Sequence, residues 1–123
     1  MPLILYVDDE EVNLLLFKLN FKKHFEVQTA SNGAEALEML EGGLQPDIVI
    51  SDMKMPGMNG VSFLKKAKTL LPHTPFYILT GFEIITEIQE ALNAGLIQSY
   101  LRKPFERDKL IEEFNAALQA KSE

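Results

Sequence analysis

At 123 residues the chain can close one hydrophobic core and is short for two, and a composition 46% hydrophobic and 24% charged argues against a disordered chain or a fibrous repeat. A formal net charge of -6 without a Lys/Arg block argues against a nucleic-acid partner, because phosphate-backbone affinity comes from clustered cations. The absence of cysteine excludes disulfides, thiol nucleophiles and Cys-ligated zinc.

The first element is the apolar run Leu3 to Val7, which reads as a buried strand. It is too short to cross a bilayer, and Asp8 and Asp9 follow where a signal peptide would continue, so no membrane partner and a cytoplasmic location are expected. Val12, Leu15, Leu16 and Leu19 then mark one face of a first helix, and Phe25 to Thr29 reads as a strand nearer an edge. Ala34, Leu37 and Leu40 mark a second helix, and Ile48 to Ile50 is a second continuously apolar strand. A third helix begins near Asn59, runs through Val61, Leu64 and Ala67 to Leu71, and stops before Pro72. Phe76 to Leu79 is the next strand. Ile84, Ile85, Ile88 and Leu92 mark a fourth helix closing at Ala94-Gly95, where Gly95 can take a left-handed conformation. Ser99 to Leu101 is a last, weaker strand, followed by a helix carrying Leu110, Ile111, Phe114 and Leu118. His24 and His73 are isolated and read as surface residues.

The alternation of short apolar runs with helical periods predicts an α/β domain over residues 1–123, built from five βα units around a parallel sheet. Such sheets place their sites beyond the carboxyl ends of the strands. Those ends carry Asp8 and Asp9, Asp52, Thr80 and Lys103. Singly, each has a bland alternative: helix capping for the acids and Thr80, a turn for Asp52, a solvated charge for Lys103. Coincidence at all four ends is much harder to explain.

Three carboxylates gathered in one crevice repel each other, a pair at about 4 Å by roughly 4 kcal/mol at an effective dielectric near 20. Raised carboxyl pKa values or a bound cation relieve this, and an all-oxygen acidic site suits Mg²⁺. A carboxylate nucleophile beside Mg²⁺ and a lysine is equipment for accepting a phosphoryl group, which needs positioning and charge neutralisation more than acid/base chemistry.

These residues resemble the receiver domains of two-component response regulators over essentially the whole chain. The motifs are Val7-Asp8-Asp9-Glu10 with Asn13, the stretch Ile48 to Gly60 around Ser51-Asp52-Met53-Lys54-Met55-Pro56-Gly57, Ile78-Leu79-Thr80-Gly81, Ala91 to Gly95, and Tyr100-Leu101-Arg102-Lys103-Pro104-Phe105. The resemblance implies a flavodoxin-like, doubly wound sheet in the order 2-1-3-4-5 flanked by five helices. It implies that Asp52 accepts a phosphoryl group from a phosphohistidine on a sensor histidine kinase or histidine phosphotransfer protein. Mg²⁺ or Mn²⁺ would be held by Asp9, Asp52 and the backbone carbonyl of Lys54, with Asp8 acting largely through water. Lys103 and the Thr80-Gly81 loop would contact the phosphoryl group, and the Lys103-Pro104 bond is expected to be cis. Thr80 and Tyr100 match the family's switch pair, which would alter the face formed by the fourth helix, fifth strand and fifth helix and so its downstream effector. Lys54 and Phe82 stand where the family tunes the lifetime of the phosphoryl group.

Gly81 replaces a commoner alanine, which would loosen the loop after Thr80 and widen access to the phosphoryl group, while Leu96 and Ser99 replace a commoner small residue and aspartate and read as altered local packing. The Met53, Met55 and Met58 cluster reads as adaptable packing or partner contact. Three rivals stand beside this reading. A phosphohydrolase of the haloacid-dehalogenase type needs a second aspartate two positions after the nucleophile, where this chain has Lys54. A flavin-binding domain needs a Ser/Thr/Gly-rich loop after the first strand, where this chain has acids. A phosphorylation-independent docking module remains the alternative. A monomer or weak dimer is expected.

Overall fold

The computed structural model describes residues 1–81 and 84–122. The elements run β1 (Leu3–Val7), α1 (Glu11–Phe21), β2 (Glu26–Ala30), α2 (Gly33–Glu41), β3 (Ile48–Asp52), α3 (Gly60–Leu70), β4 (Phe76–Thr80), α4 (Thr86–Asn93), β5 (Ser99–Arg102) and α5 (Arg107–Ser122). All strand pairs are parallel, in the order β2-β1-β3-β4-β5. The fold is the flavodoxin-like, doubly wound arrangement that the resemblance implies. Its central strands are buried along their length, as their unbroken Val, Ile, Leu and Phe content requires of strands covered on both faces.

Two apolar layers lie against the sheet. One gathers Leu5, Val7, Val49 and Ile78 with Ala36 and Leu40 of α2, Phe63 and Leu64 of α3, and Ile88 of α4. The other gathers Ile4, Tyr6, Ile50, Tyr77 and Leu79 with Phe17 and Phe21 of α1 and Phe114 of α5. The chain winds outward from β1 to β2, then returns to place β3 on the opposite side of β1. The switch point therefore lies between β1 and β3, where an open parallel sheet leaves a crevice at its carboxyl edge.

Local chemistry sets the boundaries on the site side. Asn32 caps α2 by accepting from the Glu35 N–H at 2.8 Å, and Asn59 caps α3 by accepting from the Ser62 N–H at 2.9 Å. Gly95 ends α4 with φ of 77°, a left-handed position where glycine carries no Cβ penalty.

The face predicted for α1 is the wrong one. Val12, Leu15, Leu16 and Leu19 are 66%, 58%, 50% and 50% exposed, whereas Phe17 and Phe21 are buried. The helix is apolar almost all round, so periodicity alone does not choose between two stripes. Aromatic area does: Phe17 stacks on Tyr6 at 4.1 Å between ring centres, and Phe21 lies 5.8 Å from Phe114 and 5.6 Å from Phe105. Two smaller corrections have similar causes. In α2 the buried small residue is Ala36, not Ala34. In α4 the helix starts at Thr86, with Ile84 and Ile85 in the segment ahead of it.

Candidate functional site

β1 and β3 end side by side. Their register pairs Val7 with Ser51, so the next residues, Asp8 and Asp52, reach the carboxyl edge together. Asp52 is the last residue of β3 and Thr80 the last of β4, one or two residues further along each strand than the apolar runs indicate. Carboxylate oxygens of Asp8, Asp9 and Asp52 lie within 4.8 Å of one another. Lys103 reaches in from the end of β5, its Nζ 3.2 Å from Asp8 Oδ2 and 3.6 Å from Asp52 Oδ1. The Lys103 backbone N–H also donates to the Thr80 carbonyl at 2.8 Å, tying the ends of β4 and β5 together.

The three acids differ in surroundings. Asp9 is exposed, while Asp8 and Asp52 are buried. Asp8 is held by four donors. Its Oδ2 accepts from the Tyr6 hydroxyl at 2.7 Å, the Asn13 amide at 3.2 Å and Lys103, and its Oδ1 accepts from the Glu10 N–H at 3.0 Å. Burial alone would raise its carboxyl pKa, but the Tyr6 hydroxyl, the Glu10 N–H and Lys103 outweigh that and hold it below the usual carboxylate range. Asp52 accepts from the Met53 N–H at 2.9 Å, besides its pairing with Lys103. Burial, reinforced by the charge of Asp8 and opposed by Lys103, pushes its carboxyl up to about 6. The Tyr6 hydroxyl is pushed up, first by burial and then by its bond to Asp8.

The loop after β3 is closed by the Gly60 N–H donating to the Met53 carbonyl at 2.9 Å, and its turn passes through Gly57 at φ of 80°. Gly60 is pressed against the chain: a Cβ there would overlap the Asp52 carbonyl oxygen and stand 2.8 Å from Ile78 Cδ1. Asn59 links this loop to α4, its amide donating to the Glu87 carboxylate at 3.2 Å. Between loop and helix lies a cavity of about 510 Å³ lined by Asp9, Lys54, Met55, Thr80, Ile85 and Ile88.

Lys54 is exposed at the rim of that cavity. Thr80 is buried and Tyr100 half-buried, and they share the α2–α3–α4 face, since Tyr100 pairs with Ile78, two residues before Thr80. The Lys103-Pro104 bond is cis. A Cβ at Gly81 would meet Lys103 Cβ at 3.8 Å, ordinary contact, so nothing steric demands glycine there. Phe82 lies outside the described residues. Tyr6 is the participant that sequence reasoning passed over. Its signal was the strand period of two, which puts Tyr6 and Asp8 on one face of β1.

Hard oxygen donors in this number fit a small divalent cation such as Mg²⁺ or Mn²⁺: three carboxylates against one ammonium leave a local excess of negative charge. No described helix is long and apolar enough to cross a membrane.

The family model for the response regulator receiver domain matches residues 4–115. The hydrogenase transcriptional regulatory protein HoxA of Bradyrhizobium diazoefficiens is 34% identical over 94% of this chain and 24% of its own length. Sporulation initiation phosphotransferase F of Bacillus subtilis is 32% identical over 97% of this chain and 95% of its own length. Among solved structures, the response regulator TrrA of Thermotoga maritima in complex with Mg²⁺-BeF superposes with a TM-score of 0.81 at 30% identity, over 95% of this chain and 99% of that one. The chain thus spans about a quarter of HoxA and nearly all of the sporulation protein. With the acids of two strand ends, the lysine of a third and the sheet order in agreement, the chain belongs to the response regulator receiver domain family.

Proposed function

We propose that this receiver domain is a phosphoacceptor: Asp52 takes a phosphoryl group from a phosphohistidine on a sensor histidine kinase or a histidine phosphotransfer protein. The observation that carries this is the convergence of Asp8, Asp9 and Asp52 within 4.8 Å with the Lys103 ammonium between two of them. In the transfer, the bond from phosphorus to the donor imidazole nitrogen breaks and its electron pair stays on the imidazole. A new bond forms from phosphorus to an Asp52 carboxylate oxygen. Asp9, Asp52 and the Lys54 carbonyl would hold a divalent ion, with Asp8 acting through water. Bound there, the ion supplies charge neutralisation for the phosphoryl oxygens. That TrrA was crystallised with Mg²⁺-BeF supports this assignment.

Asp52 suits the acceptor role because it is a buried carboxylate at the end of β3 beside the Lys103 ammonium, whereas Asp8 Oδ2 already receives three donors. Lys103 pairs with a phosphoryl oxygen once the group arrives, and Thr80 moves toward the same group from the end of β4. Tyr100 then turns inward on the shared face, changing the α4–β5–α5 surface presented to an effector. Lys54, and Phe82 by its place in the sequence, govern water access. The donor seats on α1: its exposed Val12, Leu15, Leu16 and Leu19 form an apolar stripe on the helix that begins two residues after Asp9. A soluble domain with no bound partner has no folding reason to expose that stripe.

The test is incubation with acetyl phosphate or a phosphohistidine donor and Mg²⁺. One acid-stable, base-labile phosphoryl group per chain is expected, and none on Asp52→Asn. Labelling of that variant at the parent's rate refutes the assignment.

A further inference from the structure

Asp8 presents more bonds than its charge alone explains. A carboxylate oxygen offers about two lone-pair sites, yet Asp8 Oδ2 receives three donors, the Tyr6 hydroxyl, the Asn13 amide and the Lys103 ammonium, while Oδ1 receives the Glu10 N–H. The shortest of these, 2.7 Å, comes from Tyr6. That hydroxyl is held in place rather than found by chance. Tyr6 is fully buried in β1, and its ring stacks on Phe17 at 4.1 Å with 14° between planes, so it cannot swing away without disrupting the α1 contact.

Lys103 stands closer to Asp8 than to Asp52, 3.2 Å against 3.6 Å. To meet a phosphoryl group on Asp52 it must loosen its hold on Asp8. A buried carboxylate stripped of its cation is costly unless other donors remain. Tyr6 and Asn13, with the Glu10 N–H, are those donors.

We propose that Tyr6 is a positioning residue of the site: its hydroxyl, braced on Phe17, shares Asp8 Oδ2 with Lys103, so that this oxygen neither takes a cation directly nor holds Lys103 away from Asp52. This rests on the phosphoacceptor reading above. With the hydroxyl removed, Asp8 Oδ2 loses its shortest donor and keeps only Asn13 and Lys103. It then competes for both positive charges at the site, the divalent ion and the Lys103 ammonium. The consequence is a split that damage to packing does not produce: cation affinity rises while phosphoryl transfer slows.

The experiment measures Mg²⁺ binding by calorimetry, and the rate of phosphorylation by acetyl phosphate at saturating Mg²⁺, for the parent, Tyr6→Phe and Asn13→Ala. Phenylalanine keeps the ring and its stacking, and Asn13 is only half-buried, so both variants are expected to retain the fold, which their thermal transitions check. In Tyr6→Phe, Mg²⁺ binding is expected to tighten about tenfold and the phosphorylation rate to fall about tenfold, in keeping with the low end of a hydrogen bond to a charged group. Asn13→Ala moves both quantities in the same directions by a smaller factor. Unchanged values in Tyr6→Phe, or weaker binding together with slower transfer, overturn the proposal and leave Tyr6 as core packing. A parent protein that neither binds Mg²⁺ nor labels at Asp52 overturns the phosphoacceptor reading instead, and the Tyr6 role with it.

Discussion

Replacing Asp52 by asparagine should stabilise the metal-free domain. Asp52 is 6% exposed and, with burial as the main cause, its carboxyl titrates at about 6 rather than 3.8. A proton held more tightly when folded than when unfolded means that ionising the group costs the fold about 3 kcal/mol once both states are fully charged. The contribution is therefore complete below the unfolded value near 4 and is lost as the pH rises through the folded value near 6. Asparagine has nearly the same shape and no charge to desolvate, and Lys103 keeps Asp8 as its partner at 3.2 Å. In EDTA near pH 7.5 the variant should exceed the parent by about 3 kcal/mol, or about 10 °C in Tm for a domain of this size. The assay is thermal and urea unfolding of both proteins across pH 4 to 8. The gap should close as the pH falls from 6 to 4, and Mg²⁺ should stabilise the parent alone. Equal stability at pH 7.5 in EDTA, or a gap that persists unchanged to pH 4, would refute the claim that Asp52 is held ionised against its surroundings.

Other perturbations test other parts of the structure. Gly60→Ala places a methyl group against the Asp52 carbonyl and Ile78, so it should lose about 3 kcal/mol or more in urea unfolding and weaken Mg²⁺ binding by displacing the end of β3. The double variant Leu15→Glu, Leu16→Glu alters two exposed side chains of α1. Unfolding free energy should stay within about 0.5 kcal/mol of the parent, and labelling by acetyl phosphate should be unaffected, while transfer from a phosphohistidine protein falls at least about tenfold. Tyr77→Phe removes a buried hydroxyl that has no hydrogen-bond partner among the described residues, so a gain of about 1 kcal/mol in unfolding free energy is expected, where an ordinary buried tyrosine would lose stability.

The location of the site was open to reasoning from the residues, whereas the strand order came only as what the family resemblance implies. Continuous apolar runs such as Ile48 to Ile50 can only be strands covered on both faces, and parallel strands so covered deliver their following residues to one edge. Asp8, Asp52 and Thr80 follow or end such strands and Lys103 follows the weaker β5, so their convergence is implied by the order of the elements. Helix starts with a side-chain cap were equally accessible, as at Asn59, because the cap is a bond between residues three apart.

What the sequence determined by itself was therefore the local chemistry and its order along the chain: the element types, the carboxyl-end residues, the caps and the family they resemble. What only the tertiary structure decided was which of two apolar stripes of α1 faces inward, how closely Gly60 is pressed against β3, and that the Tyr6 hydroxyl closes on Asp8. Each depends on groups brought together from several elements. Phe17 and Phe21 outcompete Leu15 and Leu16 because Tyr6, Phe105 and Phe114 converge on them from β1, α5 and the segment before it, and aromatic area of that kind has no signature in the spacing of one helix.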